Sequence, residues 1–162
     1  MDDHVGCISS LNWIKEETCW SGSWDHSIRC WDLPTGICTQ KMYGGTSIYS
    51  IACSKESSII LSGHADRIIR LWDPRSKSKL IIGQFKSHKA WIPSVQWHPT
   101  NPNLFSSASH DKTIKIWDMR SELPLHTLES HEDKALCVSW HNNETLLSGG
   151  ADRKLKVHQF TL

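Results

Sequence analysis

The sequence predicts an all-β protein assembled from four copies of one unit, on three observations. First, aspartates recur at a near-constant interval, as Asp25, Asp66, Asp111 and Asp152, every 41 to 45 residues. Each follows a serine by four positions (Ser21, Ser62, Ser107, Ser148), within segments reading SGSWD, SGHAD, SASHD and SGGAD. Second, apolar residues between these markers alternate, as in Ile28-Arg29-Cys30-Trp31 and Ile114-Lys115-Ile116-Trp117, which is the period of a half-buried strand. No segment sustains a helical period. Third, nine Trp stand against three Phe and two Tyr. Self-similarity at a fixed period of this size marks a repeat architecture.

The elements of one unit follow in order. A histidine opens it and a tryptophan on the first strand comes nine residues later: His4 and Trp13, His88 and Trp97, His131 and Trp140. The second unit breaks this pattern, with Gly44 nine residues before Cys53. The second strand carries the serine, and the aspartate makes the turn. A third strand then ends in Trp31-Asp32, Trp72-Asp73 or Trp117-Asp118, six residues after its turn aspartate, with His158-Gln159 at the matching place in the fourth unit. Loops such as Asp32-Leu33-Pro34-Thr35-Gly36 and His98-Pro99-Thr100-Asn101-Pro102-Asn103 carry the turn chemistry that separates short strands. The units run over about 4–42, 43–85, 86–128 and 129–162, within one repeat domain spanning 1–162. Six tryptophans fall at two repeat-defined positions and Trp20 joins them on a strand. Trp24 and Trp91 are left over.

Composition narrows the function. Lys plus Arg total 18 and Asp plus Glu 17, a net charge of +1 that does not suggest a nucleic-acid coat. No apolar run approaches the roughly 20 residues of a membrane helix. The start, Met1-Asp2-Asp3-His4, lacks a signal peptide's basic and apolar regions, which predicts an intracellular chain. Cys7, Cys19, Cys30, Cys38, Cys53 and Cys137 show no two-residue spacing and read as free thiols. The Ser, His and Asp of each unit invite a hydrolase reading. A catalytic triad is needed once, however, and this trio recurs. Further histidines such as His26, His64 and His126 show no ligand spacing, and no Gly-rich loop leads into a helix. The expectation is a protein without catalysis, metal, cofactor or small-molecule substrate.

A unit of this length with a Trp-Asp ending resembles the WD repeat, a four-stranded β-propeller blade. The resemblance implies that the histidine, serine, aspartate and tryptophan of a blade share hydrogen bonds. The sets are His4, Ser21, Asp25, Trp31 and His88, Ser107, Asp111, Trp117. Incomplete, less rigid ones are Ser62, Asp66, Trp72 beside Gly44, and His131, Ser148, Asp152 beside His158. It also implies that entry loops and middle hairpins gather on one partner-docking face, which makes Trp24, Trp91, Arg67, His110 and Arg153 candidate partner contacts. Between 67 and 89, seven basic residues (Arg67, Arg70, Arg75, Lys77, Lys79, Lys86, Lys89) stand against Asp73 alone, a stretch suited to minor rRNA contact.

Longer strings, SGSWDHSIRCWDLPTG, SGHADRIIRLWDPRSK, Ser130-His131-Glu132-Asp133-Lys134 and LLSGGADRKLKVHQF, are similar to the C-terminal half of a WD-repeat ribosome-biogenesis family. That resemblance implies a scaffold in large-subunit rRNA processing, in nucleolus and nucleoplasm, with Pescadillo and block-of-proliferation subunits and the pre-ribosomal particle as partners. The family also has an N-terminal ubiquitin-like domain, bound by the ATPase midasin, and a ring of about seven blades. Four blades are present here and no such segment, so midasin binding is not carried over. An open arc with unpaired edges is expected, the fourth blade stopping after its third strand at Phe160-Thr161-Leu162. A competing reading, a substrate receptor of a cullin-type ubiquitin ligase, rests on Trp72-Asp73-Pro74-Arg75 and Trp117-Asp118-Met119-Arg120, which resemble an adaptor-binding Trp-Asp-x-Arg signature. A general WD-repeat scaffold is the third.

Overall fold

The computed structural model describes residues 3–76 and 80–160. Lys77 and Lys79 of the basic stretch, and Thr161 and Leu162 of the chain-end reading, lie outside the described residues. Four antiparallel sheets follow one another along the chain. Blade one contains β1 (Ile8–Lys15), β2 (Thr18–Ser23), β3 (Ser27–Asp32) and β4 (Ile37–Tyr43). Blade two contains β5 (Ile48–Cys53), β6 (Ile60–His64), β7 (Ile69–Trp72) and β8 (Ile81–Phe85). Blade three contains β9 (Ser94–Trp97), β10 (Leu104–Ala108), β11 (Thr113–Asp118) and β12 (His126–Glu129). Blade four contains β13 (Ala135–Trp140), β14 (Thr145–Gly150) and β15 (Leu155–Gln159), three strands among the described residues.

The core lies between blades rather than within them. Ile28 and Cys30 of blade one cluster with Ile48 and Ile51 of blade two. Ile69 and Leu71 meet Ile92 and Val95 in the same way, and Ile114 and Ile116 meet Ala135 and Val138. Each blade therefore has a leading face, turned to the blade before it, and a trailing face, turned to the blade after it. Close approach demands small residues at the crossing. A Cβ on Gly22 would stand 2.8 Å from Cγ2 of Ile51, and one on Gly63 would stand 2.6 Å from the Ile92 carbonyl oxygen.

One expectation is corrected. The alternation in β3 and β11 reads as a half-buried strand, yet both faces are buried, Arg29 and Lys115 included. The polar residues of the alternation point to the leading face, where a hydrogen-bonded network accommodates them. In β11 the leading face meets the sheet of blade two, Trp117 packing among Ile69, Leu71 and Phe85, whereas in β3 Arg29 is covered by its own blade, where Asp3 and Asp25 hold the guanidinium.

Candidate interaction face

Inside each blade one serine hydroxyl collects the buried polar groups. In blade one, Trp31 Nε1 donates to Ser21 Oγ at 2.7 Å, His4 Nε2 lies 2.7 Å from the same oxygen, and His4 Nδ1 lies 2.7 Å from Asp25. Blade three repeats this, with Trp117 to Ser107 at 2.9 Å, His88 to Ser107 at 2.7 Å and His88 to Asp111 at 2.8 Å. A buried indole N–H, hydroxyl and imidazole each need a partner once removed from water. Burial alone would raise the Asp25 and Asp111 carboxyls, but hydrogen bonds from Ser27 and His4, and from His88 and Thr113, hold them below the usual carboxylate range. Burial lowers His88 in spite of Asp111.

Blades two and four differ from the expected incomplete sets. In blade two the ring comes from His64, two residues beyond the serine: its Nε2 lies 2.6 Å from Ser62 Oγ, and Trp72 Nε1 donates to Ser62 at 2.6 Å. Asp66, without a histidine, takes Nη1 and Nη2 of Arg70 at 3.0 and 2.5 Å. In blade four His158 replaces the indole, its Nε2 lying 3.0 Å from Ser148 Oγ, while His131 reaches Ser148 at 2.9 Å and Asp152 at 3.0 Å. The gaps are filled by different residues, because what is required is a ring nitrogen at the serine rather than a particular sequence position.

The turn aspartate also shapes the surface. Its carboxylate accepts the backbone N–H two residues on, at Ser27, Ile68, Thr113 and Lys154. The intervening residue is forced left-handed: His26, Arg67, Lys112 and Arg153 have φ of 70°, 70°, 75° and 64°. All four are basic types and all four are exposed. The hairpin tip is tied to the blade's entry segment by one repeated backbone bond, Trp24 to Cys7, Ala65 to Ser47, His110 to Trp91 and Ala151 to Lys134. Hairpins and entry segments therefore share one face, which carries Trp24, Trp91 and His110 as well as Arg67 and Arg153.

On that face the leftover tryptophans are half exposed and joined by a residue that sequence reasoning missed. Tyr49 stacks on Trp91 at 5.5 Å and 28° and meets Trp24 edge-on at 6.0 Å, while Trp91 continues to His110 at 5.7 Å. An aromatic row thus crosses three blades. Burial, then Lys134, lowers the His110 imidazole, so its ring is neutral at neutral pH and extends the row without adding charge. Nothing in the repeat marked Tyr49, whose counterparts are Ser9, Pro93 and Leu136.

Other candidate cations are partly engaged. Arg75 and Arg120 fold onto Asp73 and Asp118, with Nε–O distances of 2.8 and 2.9 Å. These carboxylates are lowered chiefly by hydrogen bonds from those arginines. Among the described residues there is no group of three His, Cys, Asp or Glu able to hold a metal ion, and no helix long and apolar enough to cross a membrane.

Comparison with known proteins agrees with this geometry. The family model for the WD domain, G-beta repeat, matches residues 36–73, 79–118 and 122–159. Similar curated proteins include a "Ribosome biogenesis protein WDR12 homolog" of Oryza sativa subsp. japonica, 43% identical over 156 residues, or 95% of this chain and 36% of that protein. Proteins of the same description from Nematostella vectensis and Arabidopsis thaliana are 42% and 38% identical, over 96% and 95% of this chain and 38% and 36% of their own length. The chain thus spans little more than a third of these relatives. Blade one carries the full hydrogen-bonded set although the family model begins at residue 36. With more than half of its residues matched, on four sheets built around the same serine-centred network, the chain belongs to the WD40 repeat family.

Proposed function

We propose that this chain is a non-catalytic protein-interaction scaffold in large-ribosomal-subunit biogenesis and rRNA processing. It acts in the nucleolus and nucleoplasm, with Pescadillo and block-of-proliferation subunits and the pre-ribosomal particle as partners. The description borne by its relatives supports the process. The observation that carries the interaction role is the surface row Trp24, Tyr49, Trp91, His110, its two indoles exposed and its other two rings half-buried, on the face that carries the basic turn residues. Large aromatics held in place by one another lose little conformational entropy on docking and are enriched among binding hot spots. Direct rRNA contact through 67–89 is a lesser part of this reading, because Arg70 and Arg75 already serve Asp66 and Asp73.

The test is affinity capture of tagged chain from nucleolar extract. Recovery of the two subunits, lost with Trp24→Ala/Trp91→Ala, is expected. Recovery of a cullin-ligase adaptor that depends on Arg75 and Arg120 would replace this reading with the ligase one.

A further inference from the structure

Blades one, two and three place a basic residue at the same point of the third strand and answer its charge differently. Arg29, Arg70 and Lys115 pair in register with the central serines Ser21, Ser62 and Ser107, and all three are buried. In blade one the guanidinium meets Asp3 at 2.6 Å and Asp25 at 3.4 Å, and Asp3 also takes Lys41 Nζ at 2.5 Å. In blade two it meets the Asp66 carboxylate at 3.0 and 2.5 Å. Lys115, only 6% exposed, is answered by a hydroxyl. Its Nζ donates to Thr127 Oγ1 at 2.9 Å, and no carboxylate among the described residues forms an ion pair with it.

The register names the difference between blades one and three. Asp3 precedes His4, and Ser87 precedes His88; Lys41 pairs with Arg29, and Thr127 pairs with Lys115. Beside Lys115 a cavity of about 290 Å³ is lined by Ser87, Lys89, Lys112, Thr113, Thr127 and Glu129 among others. Lys89 and Lys112 are exposed and form no ion pair among the described residues. Two carboxylates share the cavity. Asp111 is committed to His88, to the Lys89 N–H and to the N–H and hydroxyl of Thr113, while Glu129 is exposed. The His131 ring is held by Asp152 and Ser148. Burial lowers the Lys115 ammonium from its ordinary value, against the pull of Asp111 and with the push of Lys89. An anion beside it would offset a burial cost that carboxylates offset in blades one and two.

We propose that this cavity receives a phosphomonoester, the phosphorylated serine or threonine side chain of a partner protein, with its oxygens on Lys115 at the place that the Asp3 carboxylate holds in blade one. The charges select the group. A partner carboxylate brings one negative charge to three lysines, whereas a phosphomonoester brings about −1.5 to −2 and three strong acceptor oxygens. Ser87, Thr113 and Thr127 supply hydroxyls for those oxygens. A phosphodiester carries a single charge and is flanked by chain on both sides. An RNA backbone therefore reaches Lys89 and Lys112 at the rim, but not the ammonium inside. The cavity shares no residue with the aromatic row, so it stands whether or not that row docks a partner.

Amide NMR of the purified chain tests this, in titrations at constant ionic strength with capped phosphoserine, capped glutamate and dimethyl phosphate. Saturable shifts at Ser87, Thr113 and Thr127 are expected with phosphoserine, at a dissociation constant at least about tenfold below those of the other two probes. Lys115→Met keeps the apolar stem, removes the charge and should weaken binding at least about tenfold. Ser87→Asp supplies the carboxylate of blade one from within and should weaken it as much, with circular dichroism and amide shifts away from the cavity unchanged. Glu129→Gln removes the uncommitted carboxylate and should tighten binding about twofold. Shifts that do not saturate overturn the proposal. So does an equal response to dimethyl phosphate, which would mean a rim contact for polyanions such as RNA. Undiminished binding in Ser87→Asp also overturns it, and decides the matter alone if Lys115→Met fails to fold.

Discussion

Gly44 and His64 share one space: a Cβ added to Gly44 would stand 2.9 Å from Cε1 of the His64 ring. Blades one, three and four bring their ring from the entry segment, as His4, His88 and His131, to the serine hydroxyl. Blade two brings it from β6, and the entry segment gives way. Glycine at 44 and histidine at 64 are therefore two sides of one arrangement, the ring at 64 taking the space that a side chain at 44 would need. Gly44→His alone is expected to clash and cost about 1–3 kcal/mol. His64→Ser alone leaves Ser62 and Trp72 with an unfilled site, at a cost on the order of 1–3 kcal/mol. The double variant is expected to recover much of both costs, with the introduced imidazole approaching Ser62 and Asp66 from the entry segment. Urea denaturation of all four proteins measures the coupling, and additive costs would refute the exchange.

The pH dependence of stability carries the same signature. Burial, then the nearby Arg70, pushes the His64 imidazole down to about 4 from the ordinary 6.5. The unfolded chain takes up this proton below about pH 6.5, while the native ring resists it down to about 4. Its contribution to stability is thus complete above pH 6.5 and is lost as the pH falls through that window, by on the order of 3 kcal/mol. The lowered His88 and His158 act in the same direction. Denaturant midpoints at pH 7.5 and 4.5 are expected to differ less in His64→Gln than in the native sequence. The aspartates, held below their ordinary range, come into play only at lower pH.

What the sequence makes legible here is what recurs. The serine, the turn aspartate and the strand tryptophan repeat with the blade, so their shared hydrogen bonds can be read from spacing. Trp24 and Trp91 stand out by failing to repeat, and both lie on the exposed face. Tyr49 and His64 are silent for opposite reasons. Tyr49 occupies a position that no blade constrains, and His64 does a repeated task from an unrepeated place. Nor does alternation show that the middle strands are buried on both sides, because the polar half of the pattern faces a network and not water.

The crossing residues predict an asymmetry between blades. Gly63→Ala brings a Cβ against the Ile92 carbonyl oxygen, which is backbone and must shift. Blades two and three have to part, at an expected cost of about 1–3 kcal/mol. Gly149→Ala meets a thiol at the edge of its own blade, and little change in the stability of the single chain is expected. Thermal melts of the two variants at low protein concentration check the difference.

Two aromatic groups of similar composition are expected to respond in opposite ways. Phe105 is fully buried, parallel to Trp117 at 6.0 Å and 10° and edge-on to Phe85 at 4.9 Å and Trp97 at 5.7 Å. Its truncation to Ala removes a side chain from the middle of the core and should cost about 3–5 kcal/mol. Tyr49, half-buried at the surface, touches Trp24 and Trp91, and each such pair is worth about 0.5–1.5 kcal/mol. Tyr49→Ala should therefore cost the fold less than Phe105→Ala. It should also free both indoles, which a red-shifted tryptophan emission and reduced partner capture would record together. Tyr49→Phe keeps the stack and should leave both readings near the native values. If Tyr49→Ala left capture unchanged, the aromatic row would be surface packing and the docking face would have to lie elsewhere on the arc.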